Sequence, residues 1–143
     1  MKKLIFTSMI MFFWGLSFAQ ESQAPKTFPL PSVDLKTIDG KSFNTKDIEN
    51  EGKPIIICFF ATWCKPCMVE LKTIADVYDE WQEETGVKIY AVSIDDSRSS
   101  AKVLPLVNGN AWEYEVLLDE NQDFKRALNV NDIPHTFILN GNK

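Results

Sequence analysis

The chain has 143 residues, of which 45% are hydrophobic and 24% charged, enough for one globular domain around a single core. Its 20 acidic residues outnumber its 15 basic ones to leave a net charge of −5, which argues against a nucleic-acid partner, since that needs a basic surface to meet phosphates. There is no internal repeat and no long low-complexity tract.

Residues 1–19 read as a secretory signal peptide. Lys2 and Lys3 make a basic start, Leu4 to Phe18 is uncharged and largely apolar, and Ser17-Phe18-Ala19 puts small residues at the positions a signal peptidase reads. Cleavage after Ala19 leaves 13 Lys and Arg against 20 acids, a mature net charge of −7. The alternative is an uncleaved membrane anchor, disfavoured because the apolar stretch is shorter than the roughly 20 residues of a spanning helix. Either way the remainder of the chain faces outward. Residues 20–31 carry three prolines and few apolar side chains, which suggests a tether, and the domain is expected over 32–143.

Val33-Asp34-Leu35 and Lys41-Ser42-Phe43 flank Asp39-Gly40, a dipeptide that favours the positive backbone angles of a tight turn, so a small N-terminal hairpin is expected. Gly52-Lys53-Pro54 punctuates the chain before Ile55 to Phe60, whose unbroken hydrophobicity fits a strand covered on both faces. That run leads into Trp63-Cys64-Lys65-Pro66-Cys67. Two cysteines at this spacing can close a disulfide across one helical turn. The first stands where free backbone N–H groups and the positive end of the helix dipole favour a thiolate. Cys64 is therefore the expected nucleophile and Cys67 its resolving partner. Half of a zinc site shares the spacing, but with only three cysteines and one histidine in the chain the remaining ligands are lacking.

From Pro66 to about Glu84 the pattern is helical, with Cys67, Leu71, Ile74, Ala75, Tyr78 and Trp81 gathered on one face. Glu70 falls in that apolar sector beside Ile74 and Trp81, while Asp76, Asp79, Glu80 and Glu83 lie on the opposite side. A carboxylate partly buried next to a dithiol is suited to exchanging protons with a thiol at neutral pH; the competing reading is a first-turn acid that merely complements the helix dipole. Lys65 and Pro66 occupy the positions between the cysteines, where both should tune the redox potential, and Pro66 suits a first helical turn. Further on, Val87 to Ile94 reads as a strand, Ser99 to Val107 as a helix interrupted by Pro105, Tyr114 to Leu118 as a strand and Gln122 to Leu128 as a short helix. Pro134 leads a last apolar strand, Thr136 to Leu139, and Asn140-Gly141 is a strong hairpin signal.

The strand before Trp63, the Trp63 to Cys67 motif and Ile133-Pro134-His135-Thr136-Phe137 about 70 residues later together resemble the thioredoxin-like superfamily. Within it the chain most resembles the extracytoplasmic TlpA/ResA thiol-disulfide oxidoreductases, from about Phe28 to its last residue. The resemblance implies an α/β fold with a central mixed sheet flanked by helices. It also implies an N-terminal hairpin and an inserted strand and helix ahead of a cis proline at Pro134. Catalytic roles fall on Cys64, Cys67, Glu70 and Pro134, and a substrate contact on the backbone of Ile133; Trp63, aromatic and next to Cys64, either covers the disulfide and shapes the substrate surface or is there for plain packing. The protein would need no metal or organic cofactor beyond its own Cys64–Cys67 disulfide. Its substrates would be protein thiols or disulfides, and its electron donor a membrane thiol-reducing partner. Cytochrome c maturation or envelope redox homeostasis would be its setting.

Two departures stand out. The buried acid that plain thioredoxins carry six residues before the nucleophile is replaced by Cys58, which leaves Glu70 as the better proton-transfer group and makes Cys58 an expected inert, buried hydrophobe. The family's returning strand and C-terminal helix also find no counterpart after Asn140-Gly141, so the domain is expected to be incomplete, with an exposed sheet edge. His135 is expected to be a loop side chain near the site. A peroxiredoxin is the runner-up, disfavoured because residues 57–64 lack its Pro-x-x-x-Thr-x-x-Cys pattern. A non-catalytic binding domain is the other alternative.

Overall fold

The structure is a computed structural model that describes residues 29–141; the expected signal peptide lies outside the described residues. Ile55–Phe60, the continuous apolar run, forms strand β3, and all six of its residues are buried. It sits inside a six-stranded sheet. Before it come β1 (Asp34–Thr37) and β2 (Ser42–Asn44), paired antiparallel around a turn in which Gly40 takes φ +82°, a backbone angle that glycine adopts without strain. After it come β4 (Lys88–Ser93), β5 (Glu115–Leu118) and β6 (His135–Leu139), giving the order β2-β1-β5-β4-β3-β6. β3, β4 and β5 run parallel, whereas β6 lies antiparallel on β3 and β1 antiparallel on β5. The sheet is therefore mixed, as expected. The hairpin extends the edge opposite β6.

The described chain is already packed before the hairpin. Leu30 is buried, the Thr45 hydroxyl donates to the Pro31 carbonyl, and Val33 N–H donates to Thr45 Oγ1 at 2.8 Å.

Two expected helices take different forms. The single helix expected from Pro66 to Glu84 is two: α1 (Lys65–Ala75) and α2 (Tyr78–Thr85). At the break the Val77 N–H bonds back only three residues to the Ile74 carbonyl, a tightened turn. No proline or glycine marks it. What favours it is packing: Tyr78 turns inward, with its ring 5.4 Å from that of Tyr114 and its hydroxyl accepting from Ile89 N–H. Trp81 consequently leaves the buried face and stands 36% exposed. Beyond β4, a 3-10 turn at Ser100–Lys102 runs into α3 (Val103–Gly109), and Pro105 does not interrupt it. Pro105 is in the first turn, where the N–H it lacks would have had no intrahelical partner. The short helix α4 (Asp123–Ala127) precedes β6, as expected.

Both faces of β3 are covered. On one, Phe59 packs its ring 5.5 Å from Phe124 of α4 and 6.3 Å from Phe137 of β6. On the other, Ile56, Cys58 and Phe60 lie on the side where α1 buries Cys67, Leu71 and Ile74. Tyr114 ties α1 down by donating its hydroxyl to the Leu71 carbonyl at 2.7 Å. Among the described residues β6 pairs only with β3. Its Ile138 is 76% exposed and borders an apolar groove with Pro54, Ile56, Trp81 and Val87. Because Phe59 is fully buried among aromatic rings, Phe59→Ala is expected to destabilise the fold by about 3–5 kcal/mol in urea unfolding.

Candidate active site

The site is built where β3 ends. Ala61, Thr62 and Trp63 turn the chain out of the sheet, and Cys64 N–H donates to the Ala61 carbonyl at 3.0 Å to close the turn. Cys64 then becomes the N-cap of α1, in extended backbone geometry, with Pro66 in the first turn. Its sulfur is bonded to that of Cys67 across a Cα–Cα distance of 5.3 Å. Cys67 N–H points at Cys64 Sγ from 3.3 Å. A sulfur placed this way receives a backbone donor and the positive end of the helix dipole, both of which stabilise a thiolate once the disulfide opens. Cys64 retains slight exposure at 5%, whereas Cys67 is sealed at 0%. An incoming sulfur therefore meets Cys64 first.

The loop carrying Cys64 is held by a group the sequence reading did not single out. Asp95, just past β4 and only 1% exposed, accepts from Thr62 N–H at 2.8 Å, from the Thr62 hydroxyl at 2.7 Å and from the Ser93 hydroxyl at 2.8 Å. A buried carboxylate persists only when donors surround it, and here two of the three belong to Thr62, two residues before Cys64. The available signal was the Ser93-Ile94-Asp95 end of an apolar strand: an acid adjoining buried positions needs a partner.

The other expected residues are distributed around this loop. Trp63 is 66% exposed, so plain packing does not account for it. With Ile94, Arg98, Lys102 and Gln122 it lines a groove of ≈ 520 Å³. Lys65 and Pro66 are exposed on the first turn of α1. The Ile133–Pro134 peptide bond is cis, as expected, and leads directly into β6. His135 is half-buried with its ring 4.7 Å from that of Phe137, which places it against an apolar neighbour rather than with ligands. Among the described residues no cluster of His, Cys, Asp or Glu has the makings of a metal site.

Glu70 and Cys58, on different elements, meet at one residue. Thr136 pairs with Cys58 across β3 and β6, its Oγ1 2.7 Å from Glu70 Oε1 and 3.6 Å from Cys58 Sγ. The Glu70 carboxylate thus has a tertiary partner, beyond what a first-turn acid answering only the helix dipole would need. Burial pushes the Cys58 thiol up to about 11; the Thr136 hydroxyl opposes this and the nearby Glu70 charge adds to it. A thiol in that state is neutral and unreactive near pH 7.

A profile of the AhpC/TSA family matches residues 27–143. The chain is similar to sporulation thiol-disulfide oxidoreductase A of Bacillus subtilis, 28% identical over 139 residues that cover 96% of this chain and 79% of the relative. It is also similar to thiol-disulfide oxidoreductase ResA of Bacillus anthracis, 28% identical with 76% of this chain aligned; the match spans 60% of that relative's length. Among solved structures, that of an uncharacterized thioredoxin-like protein from Porphyromonas gingivalis superposes with a TM-score of 0.72 at 61% identity, covering 79% of this chain and 74% of the other.

The burial of Cys58 generates a testable expectation. With the dithiol reduced at pH 8, iodoacetamide should modify Cys64 and leave Cys58 untouched until denaturant is added, as read by peptide mass mapping. The raised folded value also has a sign. Below the ordinary thiol value of 9.0 Cys58 is protonated in both states and its stabilising contribution is complete; that contribution is lost as pH rises towards about 11. Urea unfolding across this window should fall less steeply for Cys58→Ala than for the parent.

Proposed function

The chain belongs to the AhpC/TSA family, and we propose on that premise that it is an exported thiol-disulfide oxidoreductase reducing protein disulfides through Cys64 and Cys67. The observation that carries this reading is the Cys64–Cys67 disulfide capping α1, with Cys64 slightly exposed and Cys67 sealed. In the reduced protein the Cys64 thiolate attacks a substrate disulfide, forming a mixed disulfide and releasing one substrate thiolate. Cys67 then loses its proton and attacks Cys64 Sγ. The bond between Cys64 and substrate breaks, and the second substrate thiolate leaves. Two electrons pass to the substrate, and the protein ends with the disulfide seen in the structure.

Glu70 lies one helical turn beyond Cys67 on α1, and such i, i+3 positions are neighbours on the helix surface. It is the acceptor we assign to the Cys67 proton. Ile133 and Pro134, just before β6, supply the backbone against which a substrate thiol lies, and Trp63 its apolar cover. Lys65 and Pro66 tune the potential of the pair.

Export rests on the basic and apolar pattern of residues 1–19. Reduction outside the cytoplasm requires electrons from elsewhere, so a membrane thiol-reducing protein is the donor proposed here. Apocytochrome c is one substrate that would suit such a pathway.

Cys64→Ser is expected to abolish reduction of a protein disulfide, and Cys67→Ser to accumulate the mixed disulfide on non-reducing gels. Mixed disulfide held by Cys67 when Cys64 is serine would reverse the assignment. Glu70→Gln is expected to slow the resolving step at pH 7 by roughly 10- to 100-fold, the lower range for a lost proton acceptor. Hydrogen peroxide consumption by the reduced protein should stay at the rate of free thiol; rapid turnover would favour a peroxide reductase instead.

A further inference from the structure

We propose that Thr136 is a positioning residue for the dithiol: its hydroxyl ties the Glu70 carboxylate to the sheet, holding it over the sealed side of the active-site helix. The inference rests on the reading of Glu70 as proton acceptor and adds to it the group that aims the acceptor. Glu70 is on α1 and Thr136 is on β6, 66 residues later, so the contact spans two elements that the helix geometry alone does not align.

The hydrogen bookkeeping favours this arrangement. A threonine hydroxyl has one proton and two lone pairs, and an ionised carboxylate can only accept. With Oγ1 2.7 Å from Glu70 Oε1, the proton goes to the carboxylate, the stronger acceptor. The Cys58 sulfur, kept as a neutral thiol by burial, lies 3.6 Å from the same hydroxyl on the sheet side. The hydroxyl is thus fixed from below by the sheet and turned towards α1. A glutamate side chain has three rotatable bonds, and a tether to a stiff β-branched residue on a strand removes much of that freedom.

The charged and titratable groups around this point are few. α1 contributes Cys67, β3 contributes the neutral Cys58, and Tyr114 lies near Cys58 with its hydroxyl engaged by the Leu71 carbonyl. On β6 the adjacent His135 points to the opposite face, against Phe137. None of the ion pairs among the described residues involves Glu70. The Thr136 hydroxyl is therefore the polar group that orients the carboxylate.

The test is single-turnover reduction of a small chromogenic disulfide by the reduced full chain, followed from pH 5 to 9. Its second phase reports the attack of Cys67 on the mixed disulfide. Thr136→Val keeps the shape and the β-branching while removing the hydroxyl, and Thr136→Ser keeps the hydroxyl. The valine variant is expected to slow the second phase about 3- to 10-fold at pH 7 and to move its pH midpoint by about half a unit, the scale of one lost hydrogen bond to a partly solvated charge. The serine variant should retain the parent profile. Adding Thr136→Val to Glu70→Gln should change nothing further.

A parent-like second phase for Thr136→Val, alongside an altered one for Glu70→Gln, would remove Thr136 from the mechanism and leave the Glu70 reading standing. An unaltered Glu70→Gln profile would remove that reading and the proposal with it. An equal effect of Thr136→Val with glutamate or glutamine at position 70 would show that the hydroxyl acts by another route and overturn the proposal. Thermal unfolding of each variant checks that it is folded, and Thr136→Ala, with the same expected profile as valine, replaces the valine variant if that one unfolds.

Discussion

The burial of β3 on both faces and both edges is the constraint from which the site follows. All six residues of the strand are buried, with β4 parallel on one side and β6 antiparallel on the other. Parallel neighbours end at the same edge of a sheet, so the residue just past β4 stands beside the residue just past β3. That is how Asp95 reaches Thr62. The carboxylate is excluded from water and takes two of its hydrogen bonds from Thr62 beside the one from Ser93, so the loop is pinned along the path that delivers Cys64 to the first turn of α1. The strand on the other side brings the segment after Pro134 to the same edge, since β6 begins at His135, opposite Phe59.

Charge is distributed around the dithiol with equal economy. The face of β3 towards α1 carries Cys58, a group that burial keeps neutral. The carboxylate nearby is Glu70, which approaches from the helix and is met by the Thr136 hydroxyl from β6. A helix N-terminus, the Cys67 N–H and slight exposure are what set Cys64 apart from Cys67.

The parts of this fold legible in the sequence are those whose cause is local. Ile55–Phe60 is a strand because no amphipathic alternative exists for a short run with no polar residue, and Asp39-Gly40 turns because glycine takes the positive φ the turn requires. The dithiol was legible because the spacing, the preceding strand and the following helical period agree. The break between α1 and α2 was not, because it answers the packing of Tyr78 on Tyr114, two aromatics 36 positions apart in the chain. Pro105 misled for a related reason: whether a proline interrupts a helix depends on where the helix starts, and that start was set by the 3-10 turn before it.

By itself, then, the sequence determined which atoms could do redox chemistry, which strand would be buried and which proline would precede the last strand, all consequences of residue type and short-range spacing. Only the tertiary structure decided what those atoms face. Asp95 and Thr136 do not stand out in a linear reading, because a carboxylate and a hydroxyl have no assigned role until the sheet order puts them within hydrogen-bond reach of the loop and the helix. Strand order depends on long-range pairing, which local propensity does not encode, and the supporting residues of the site inherit that dependence.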